Sequence, residues 1–246
     1  MTNYPPISFT RGMVDPMACL KGGWNLVKDQ YWLFVAMCLV GMLIGGAVPL
    51  GILLGPMICG LYFSFFQKRR GQTIEFGTLF KGFDYFGPSL IATLIHVVPI
   101  IIIVVPAYLI FYLGFVVTMI RQGNEPDPTS IIILFGVFAV FWIVMVLVLI
   151  VISIGFTFVY PLIVDRGLSG VEAVKLSFRA AIANFWRLLA LSLIGGVLGI
   201  VGVVLCYVGI FLVFPITLSA VAIAYEQVFG LGEAASNLPP PPPTFN

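Results

Sequence analysis

Few side chains of this chain could perform acid–base, nucleophilic or metal chemistry, and their spacing matches no catalytic pattern. The sequence has one histidine, His96, and four cysteines without CxxC spacing, namely Cys19, Cys38, Cys59 and Cys206. It has no HExxH zinc motif, no P-loop and no GxSxG motif. We therefore interpret the cysteines as packing residues, and we expect a protein that is not an enzyme and binds no metal or cofactor.

His96 is the one ionisable residue between positions 85 and 120, within a long apolar stretch. An ionisable group inside a membrane is a candidate functional residue. The alternative is a structural, neutral imidazole that is hydrogen-bonded to a hydroxyl such as that of Thr93, Tyr108 or Ser153. The sequence leaves both interpretations open.

Pro99 and Pro106 lie in the same apolar stretch. A straight helix from Pro88 to Ile120 would be about 50 Å long, well beyond the hydrocarbon core, so this segment should kink, tilt or break. Proline also frees backbone carbonyls that neighbouring groups must satisfy, which would favour a cavity. The alternative is a long tilted helix that wraps around its neighbours.

The composition identifies the kind of protein that must position these residues. Hydrophobic residues make up 61% of the 246 residues and charged residues 9%, whereas soluble domains have about a quarter charged residues. We therefore predict an all-α, multi-pass membrane bundle and no nucleic-acid partner. Six transmembrane helices are expected, at about 31–49, 52–68, 88–120, 129–163, 187–206 and 208–228.

The charges predict the orientation of this bundle. If both termini lie on one side, that side carries eleven of the twelve cations and only Arg121 lies on the other. Positive residues near span ends remain on the cytoplasmic side. We therefore expect a protein of the bacterial inner membrane with both termini in the cytoplasm.

An internal repeat organises the sequence. Five residues recur at a spacing of 154, so that Trp24, Tyr31, Trp32, Gly41 and Gly45 correspond to Phe178, Phe185, Trp186, Gly195 and Gly199. Because four spans separate equivalent points in the two copies, the repeat should be parallel, with a pseudo-twofold axis along the membrane normal. We predict one membrane domain over 1–230, with repeats at about 14–71 and 168–230 joined by spans 88–120 and 129–163.

Glycine pairs in this repeat have the GxxxG spacing that lets transmembrane helices approach closely. The predicted helix-packing residues are Gly41, Gly45, Gly51, Gly55, Gly195 and Gly199.

A short amphipathic segment precedes each repeated hairpin. The first begins at the helix-capping pair Asp15-Pro16, and the second at a capping box from Ser169 to Glu172. We expect cytoplasmic elbow helices, either purely structural or able to recognise lipid headgroups. The predicted interfacial aromatic residues are Trp24, Trp32, Phe178 and Trp186.

The C-terminal residues 231–246 read as a cytoplasmic tail with five consecutive prolines, Pro239 to Pro243. Polyproline adopts an extended helix that aromatic grooves bind, so a cytoplasmic partner is one interpretation and a solvated tail the other.

Short signatures along the chain resemble a broad group of uncharacterised bacterial six-helix integral membrane proteins, similar to the membrane domain of some glycerophosphodiester phosphodiesterases. These signatures are Gly22-Gly23-Trp24, Pro56, Leu79-Phe80-Lys81-Gly82-Phe83, Ala173, Ser177-Phe178-Arg179, Asn184-Phe185-Trp186 and Ala224-Tyr225-Glu226. The resemblance implies the six-helix fold. It implies no hydrolytic activity, because this sequence has no phosphodiesterase domain.

Two functional hypotheses remain. The leading one is a non-enzymatic scaffold or accessory subunit that binds membrane lipids, other integral membrane proteins or a second copy of itself. The alternative is a carrier for a lipid or a neutral apolar small molecule, which requires a cavity.

Overall fold

The computed structural model describes residues 9–122, 128–204 and 208–231, which are 89% helical and contain no strand. Within these residues the α-helices are α1 (Pro16–Val27), α2 (Tyr31–Ala47), α3 (Leu54–Arg69), α4 (Phe86–Gln122), α5 (Pro128–Phe156), α6 (Val159–Arg166), α7 (Gly170–Ala183), α8 (Phe185–Val204) and α9 (Val208–Phe229). Short 3-10 helices lie at Lys28–Gln30, Pro49–Gly51 and Phe76–Tyr85. The predicted all-α class is confirmed.

Five helical segments in the described part of the chain are long and apolar enough to cross a membrane. They are Pro16–Ala47, Phe76–Ile120, Pro128–Arg166, Phe185–Val204 and Gly209–Phe229. The remaining predicted span, the second at 52–68, corresponds to α3, which has 16 residues and falls short of the usual 20 or so. These segments are those of a multi-pass membrane protein.

Local sequence signals explain where two of the helices begin. The Asp15 carboxylate accepts hydrogen bonds from the backbone N–H groups of Met17 and Ala18, at 3.0 and 3.1 Å, with Pro16 as the first helical residue. At α7 the Ser169 hydroxyl and the Glu172 carboxylate form the reciprocal capping box. Both predicted caps are confirmed.

Residues 1–94 and 154–246 form one compact unit over their described parts. Its core contains α3, which packs against α2, α6 and the 3-10 segment Phe76–Tyr85, while α1 packs against α9. Aromatic rings fill this core: Phe34 stacks on Phe65 with centroids 5.2 Å apart, and Phe66 contacts Tyr225 at 5.5 Å. The core is therefore built mainly from side chains of the two predicted repeats.

Three glycines in this unit allow segments of the backbone to approach one another closely. A Cβ on Gly23 of α1 would lie 2.6 Å from the backbone nitrogen of Ala220 in α9. A Cβ on Gly60 would overlap the carbonyl of Leu79, and one on Gly82 would overlap the carbonyl of Pro56. Since real Cβ atoms do not come this close to backbone, only glycine fits at these crossings.

Residues 95–153 form the second unit, from the body of α4 and most of α5. Its internal contacts are largely aromatic, with Phe111 stacked on Phe138 at 3.5 Å and Phe115 edge-on to Phe135 at 6.4 Å. Large apolar side chains on both helices are otherwise exposed. This surface suits a lipid environment, where apolar exposure has no hydrophobic cost.

Candidate functional site

The most concentrated polar chemistry in the described structure is a charge cluster where α3, α6 and α9 end. At its centre is Asp165 of α6, whose side chain has no solvent exposure. The Tyr225 hydroxyl donates a hydrogen bond of 2.7 Å to its Oδ2, and Arg70 Nη2 donates one of 3.3 Å to its Oδ1. One carboxylate therefore joins three helices that are distant in sequence.

Arg166, the next residue in the chain, lies against this carboxylate. Arg166 Nε lies 3.1 Å from Asp165 Oδ2, where it contributes charge attraction without an aligned hydrogen bond. Its Nη2 donates to the carbonyls of Phe229 and Gly230 at 2.9 and 3.2 Å, which are carbonyls at the C-terminal end of α9. Cations at a helix C-terminus interact favourably with the helix dipole and the last carbonyls.

A second ion pair lies beside the cluster and is more exposed. Arg69 Nε lies 2.9 Å from both carboxylate oxygens of Glu226, and the Arg69 side chain is 51% exposed. Screening by solvent makes such a pair weak compared with a buried one.

The cluster is suited to holding helices together. Both Asp165 oxygens accept hydrogen bonds from, or pair with, protein groups, and two guanidinium groups balance the single negative charge. In the described residues, moreover, no group of three or more His, Cys, Asp or Glu side chains could hold a metal ion.

Two open grooves lie on the short helices that precede α2 and α8. The groove at the end of α1 has a volume of about 430 Å³ and is lined by Trp24, Lys28, Asp29, Gln30, Tyr31, Trp32 and Leu33. The groove on α7 has a volume of about 520 Å³ and is lined by Val174, Lys175, Phe178 and Arg179. Each combines aromatic surface with cations, a combination suited to lipid headgroups and the acyl chains beneath them.

Three of the predicted interfacial aromatic residues, Trp24, Trp32 and Phe178, line these grooves, and the fourth, Trp186, lies at the start of α8. Trp24, Trp32 and Trp186 are exposed, and Tyr31 contacts both Trp24 and Trp32 edge-on, at 5.5 and 5.6 Å. Phe178 is half-buried and packs edge-on against Phe156 at 5.4 Å. Their position at a membrane interface stays a prediction.

The predicted packing glycines behave differently from one another. A Cβ on Gly55 would lie 2.7 Å from the Thr93 hydroxyl oxygen, and one on Gly45 would lie 3.0 Å from the Cα of Leu54, so both are at close contacts. Gly41 and Gly195 are only in ordinary van der Waals contact, with nearest atoms 3.6 Å away. Gly51 has a φ of 64°, a turn conformation that favours glycine.

Gly199 has no close neighbour among the described residues. A Cβ built on it would meet no described atom within 4 Å, and the adjacent Ile200 and Val201 are exposed. The described structure therefore places no helix contact at Gly199. The GxxxG spacing did not distinguish this glycine from Gly45 or Gly55, which have the same spacing.

His96, Pro99 and Pro106 all lie in α4, which continues as one helix through both prolines. The Thr93 hydroxyl, one of the predicted partners of His96, donates to the Ser89 carbonyl at 2.8 Å and lies 3.0 Å from the Tyr160 hydroxyl oxygen. The roles of His96 and the two prolines stay predictions. Cys19, Cys38 and Cys59 are buried free thiols, and Cys206 lies outside the described residues.

The sequence interpretation missed Asp165 and the role of Tyr225. Asp165 follows the apolar run Leu162-Ile163-Val164, an unusual place for an acid, and this was the one available signal. Its partners lie 60 and 95 residues away, at Tyr225 and Arg70, and a single sequence does not show that they meet.

Comparisons with protein-family models, with curated proteins and with solved structures found no match to this chain.

Proposed function

We propose that this chain is a non-enzymatic, multi-pass protein of the bacterial inner membrane that acts as a scaffold or accessory subunit. It binds other integral membrane proteins or lipids, and it is built from two parallel repeats with elbow helices α1 and α7. In support of the repeat, Pro16 of α1 and Gly170 of α7 are 154 residues apart, as are Tyr31 of α2 and Phe185 of α8.

The proposed topology has six spans, with α3 as the second. Lys68 at the end of α3 donates a 2.9 Å hydrogen bond to the side chain of Gln30, just before α2. The start of α2 and the end of α3 therefore lie at the same height, which supports a helical hairpin whose two ends are on the same side of the membrane. At 1.5 Å per residue, α3 rises about 24 Å against a core of about 30 Å, and the 3-10 turn Pro49–Gly51 precedes it in the same hairpin.

The charge cluster supports the same topology. Because Asp165 contacts both Arg70 and Tyr225, the C-terminal ends of α3, α6 and α9 lie at one level. Two predicted crossings separate the end of α3 from that of α6, and two more separate α6 from α9, so the cluster supports the last four of the six spans. The arginines at these ends would lie on the cytoplasmic face, in agreement with the positive-inside rule.

The observation that carries the scaffold function is the surface of residues 95–153. None of the most apolar 18-residue window of Phe76–Ile120 is buried within the protein, and Ile110 and Val137 are 72% and 66% exposed. The two helices contact each other through a few aromatic rings. They thus retain wide apolar surfaces on which lipids or helices of another protein can pack.

Photo-crosslinking in intact membranes tests this function. Benzoylphenylalanine at Ile110 or Val137 should give protein adducts, whereas the matched control at Leu193 of α8, which is 57% exposed, should give mainly lipid adducts. The proposal would be contradicted by two results together. All three sites would give the same adducts, and the protein purified in mild detergent would be a monodisperse monomer that retains neither partner nor lipid. The carrier stays the alternative prediction, tested by lipid movement in reconstituted vesicles.

A further inference from the structure

The groove on α7 has a fixed apolar floor. Its lining residues Val174 and Phe178 are half-buried, and the Phe178 ring lies so close to Gly155 that a Cβ there would be 2.5 Å from the ring. Phe178 also packs edge-on against Phe156. The ring is thus held in place, and the open side of the groove presents an apolar surface to whatever lies beside it.

Two cations flank this floor. Lys175 and Arg179 are four residues apart on α7, so both lie on one side of the helix, and both are exposed. Glu172, the acid of this helix, is engaged elsewhere: its Oε2 accepts from the Ser169 hydroxyl at 2.7 Å and from the Ser169 backbone N–H at 3.3 Å. No ion pair of Lys175 or Arg179 occurs among the described residues.

Like charges one turn apart disfavour a helix, and an anion held between them removes the repulsion. A phosphate group fits this position, because a lysine and an arginine together offer a point charge and a planar set of N–H donors. Because Val174 and Phe178 form an apolar floor beside the two cations, a ligand that fills the groove also needs an apolar group attached to its phosphate.

The position of α7 along the chain indicates where such a ligand would come from. The helix joins the end of the span segment Pro128–Arg166 to the beginning of Phe185–Val204. A connector between two span ends lies at headgroup level, and the exposed Trp186 next to it is typical of that level. A phosphate at this depth, with its apolar chains below, is a phospholipid headgroup.

We propose that the α7 groove binds one anionic phospholipid of the surrounding bilayer. The phosphate lies between Lys175 and Arg179, and the upper acyl carbons lie on Val174 and Phe178. This inference rests on the proposed membrane function and names one ligand of that surface.

The first elbow helix provides an internal control. At the 154-residue spacing, Lys21 corresponds to Lys175, but Asn25 corresponds to Arg179. The groove near α1 also contains the Asp29 carboxylate next to Lys28, and this carboxylate repels a phosphate. The two elbows therefore differ in charge, and only the α7 groove has the charges for an anionic headgroup.

The test uses the full chain in mild detergent, titrated with dioleoylphosphatidylglycerol and with dioleoylphosphatidylcholine, and bound lipid is counted by native mass spectrometry. One cation near a membrane surface changes lipid binding by about 5-fold, so K175Q/R179Q should weaken phosphatidylglycerol binding roughly 30-fold. K21Q/K28Q should change it less than about 2-fold, and Arg179→Lys should retain most of the binding. Phosphatidylcholine has the same phosphate but a choline cation that offsets its charge, so it should bind more weakly and lose less than about 5-fold in K175Q/R179Q.

An equal loss of phosphatidylglycerol binding in K21Q/K28Q would overturn the site, because the effect would then be general surface charge. Inorganic phosphate that displaces the lipid at equal concentration would also overturn it, because the floor would then contribute nothing. Unchanged helicity of K175Q/R179Q by circular dichroism excludes unfolding as the cause. If the proposed lipid-binding function is wrong, the wild-type protein retains no lipid. If only this site is wrong, the wild type and K175Q/R179Q retain the same amount of lipid.

Discussion

Replacing Asp165 by asparagine removes the central charge of the cluster while almost preserving the side-chain volume. The Asp165 side chain is fully buried, and it pairs with Arg70 and Arg166, whose side chains are 17% and 24% exposed. After the substitution both guanidinium groups lose their nearest counter-charge, and the Tyr225 hydroxyl loses a charged acceptor. No cavity forms, so any loss of stability measures the charge and its hydrogen bonds.

The structure sets the size of the effect. Removing one partner of a buried ion pair costs about 3 to 5 kcal/mol, and partial solvation of both arginines places Asp165→Asn near the lower value, about 3 kcal/mol. Tyr225→Phe removes one hydrogen bond to a charged group and should cost about 1.5 kcal/mol. Glu226→Gln breaks the neighbouring pair with Arg69, whose side chain is half exposed, and should cost about 1 kcal/mol, less than Asp165→Asn.

Unfolding of the purified protein in detergent by a denaturant, followed by circular dichroism, measures these differences. A double-mutant cycle of Asp165→Asn with Tyr225→Phe isolates their interaction, which should be non-additive because the two side chains are in contact. The reasoning would be refuted if Asp165→Asn were as stable as the wild type, or if Glu226→Gln cost more than Asp165→Asn.

Three further predictions follow from particular residues. Gly60→Ala should destabilise the protein by about 2 to 3 kcal/mol through overlap with the Leu79 carbonyl, whereas Gly195→Ala, 3.6 Å from Thr217, should be neutral or up to about 1 kcal/mol stabilising in the same unfolding assay. If His96 is structural, His96→Ala should cost about 1 kcal/mol and leave any pH response of the reconstituted protein unchanged, and an altered pH response without destabilisation would favour a proton-linked role. A cysteine at Asn124 should react with an impermeant reagent outside intact cells, while cysteines at Gly71 and Ser236 should react only after permeabilisation. If Gly71 and Ser236 were labelled from opposite faces of the membrane, the parallel repeat would be contradicted.

Local signals predicted local structure well. The caps at Asp15 and at Ser169 with Glu172 were readable because capping depends on residues within one turn of each other. The long apolar helices were readable because hydropathy over about 20 residues reports the solvent around a helix. These signals predicted the helical membrane class without any knowledge of tertiary contacts.

Contacts between segments that are distant in sequence could not be predicted from such local signals. Gly60 and Gly82 look like many other glycines in the sequence, and only the crossing of α3 by the segment Phe76–Tyr85 makes them indispensable. Asp165 appeared to be one more charge at a span end until the fold placed Arg70 and Tyr225 against it. Which glycine is crowded and which acid is buried are properties of packing between helices.

The packing also bears on how the proposed duplication diverged. At the spacing of 159 that aligns Pro56 with Pro215, Gly60 of α3 corresponds to Ser219 of α9. Gly23 of α1 crosses α9 at Ser219 and Ala220, whereas the 3-10 segment Phe76–Tyr85, which lies between the copies, crosses α3 at Gly60.

Equivalent places on the two hairpins are thus covered by elements of different origin. Because the 3-10 segment covers α3 at that place, α7 packs instead against α6 and α8, and Phe178 covers Gly155 at the end of α5. Phe178, the ring that forms the floor of the α7 groove, packs against Gly155 and Phe156, whereas the corresponding Trp24 packs edge-on against Tyr31. Under the proposed repeat, α1 and α7 are equivalent helices with unlike surfaces, since only α7 carries two cations one turn apart.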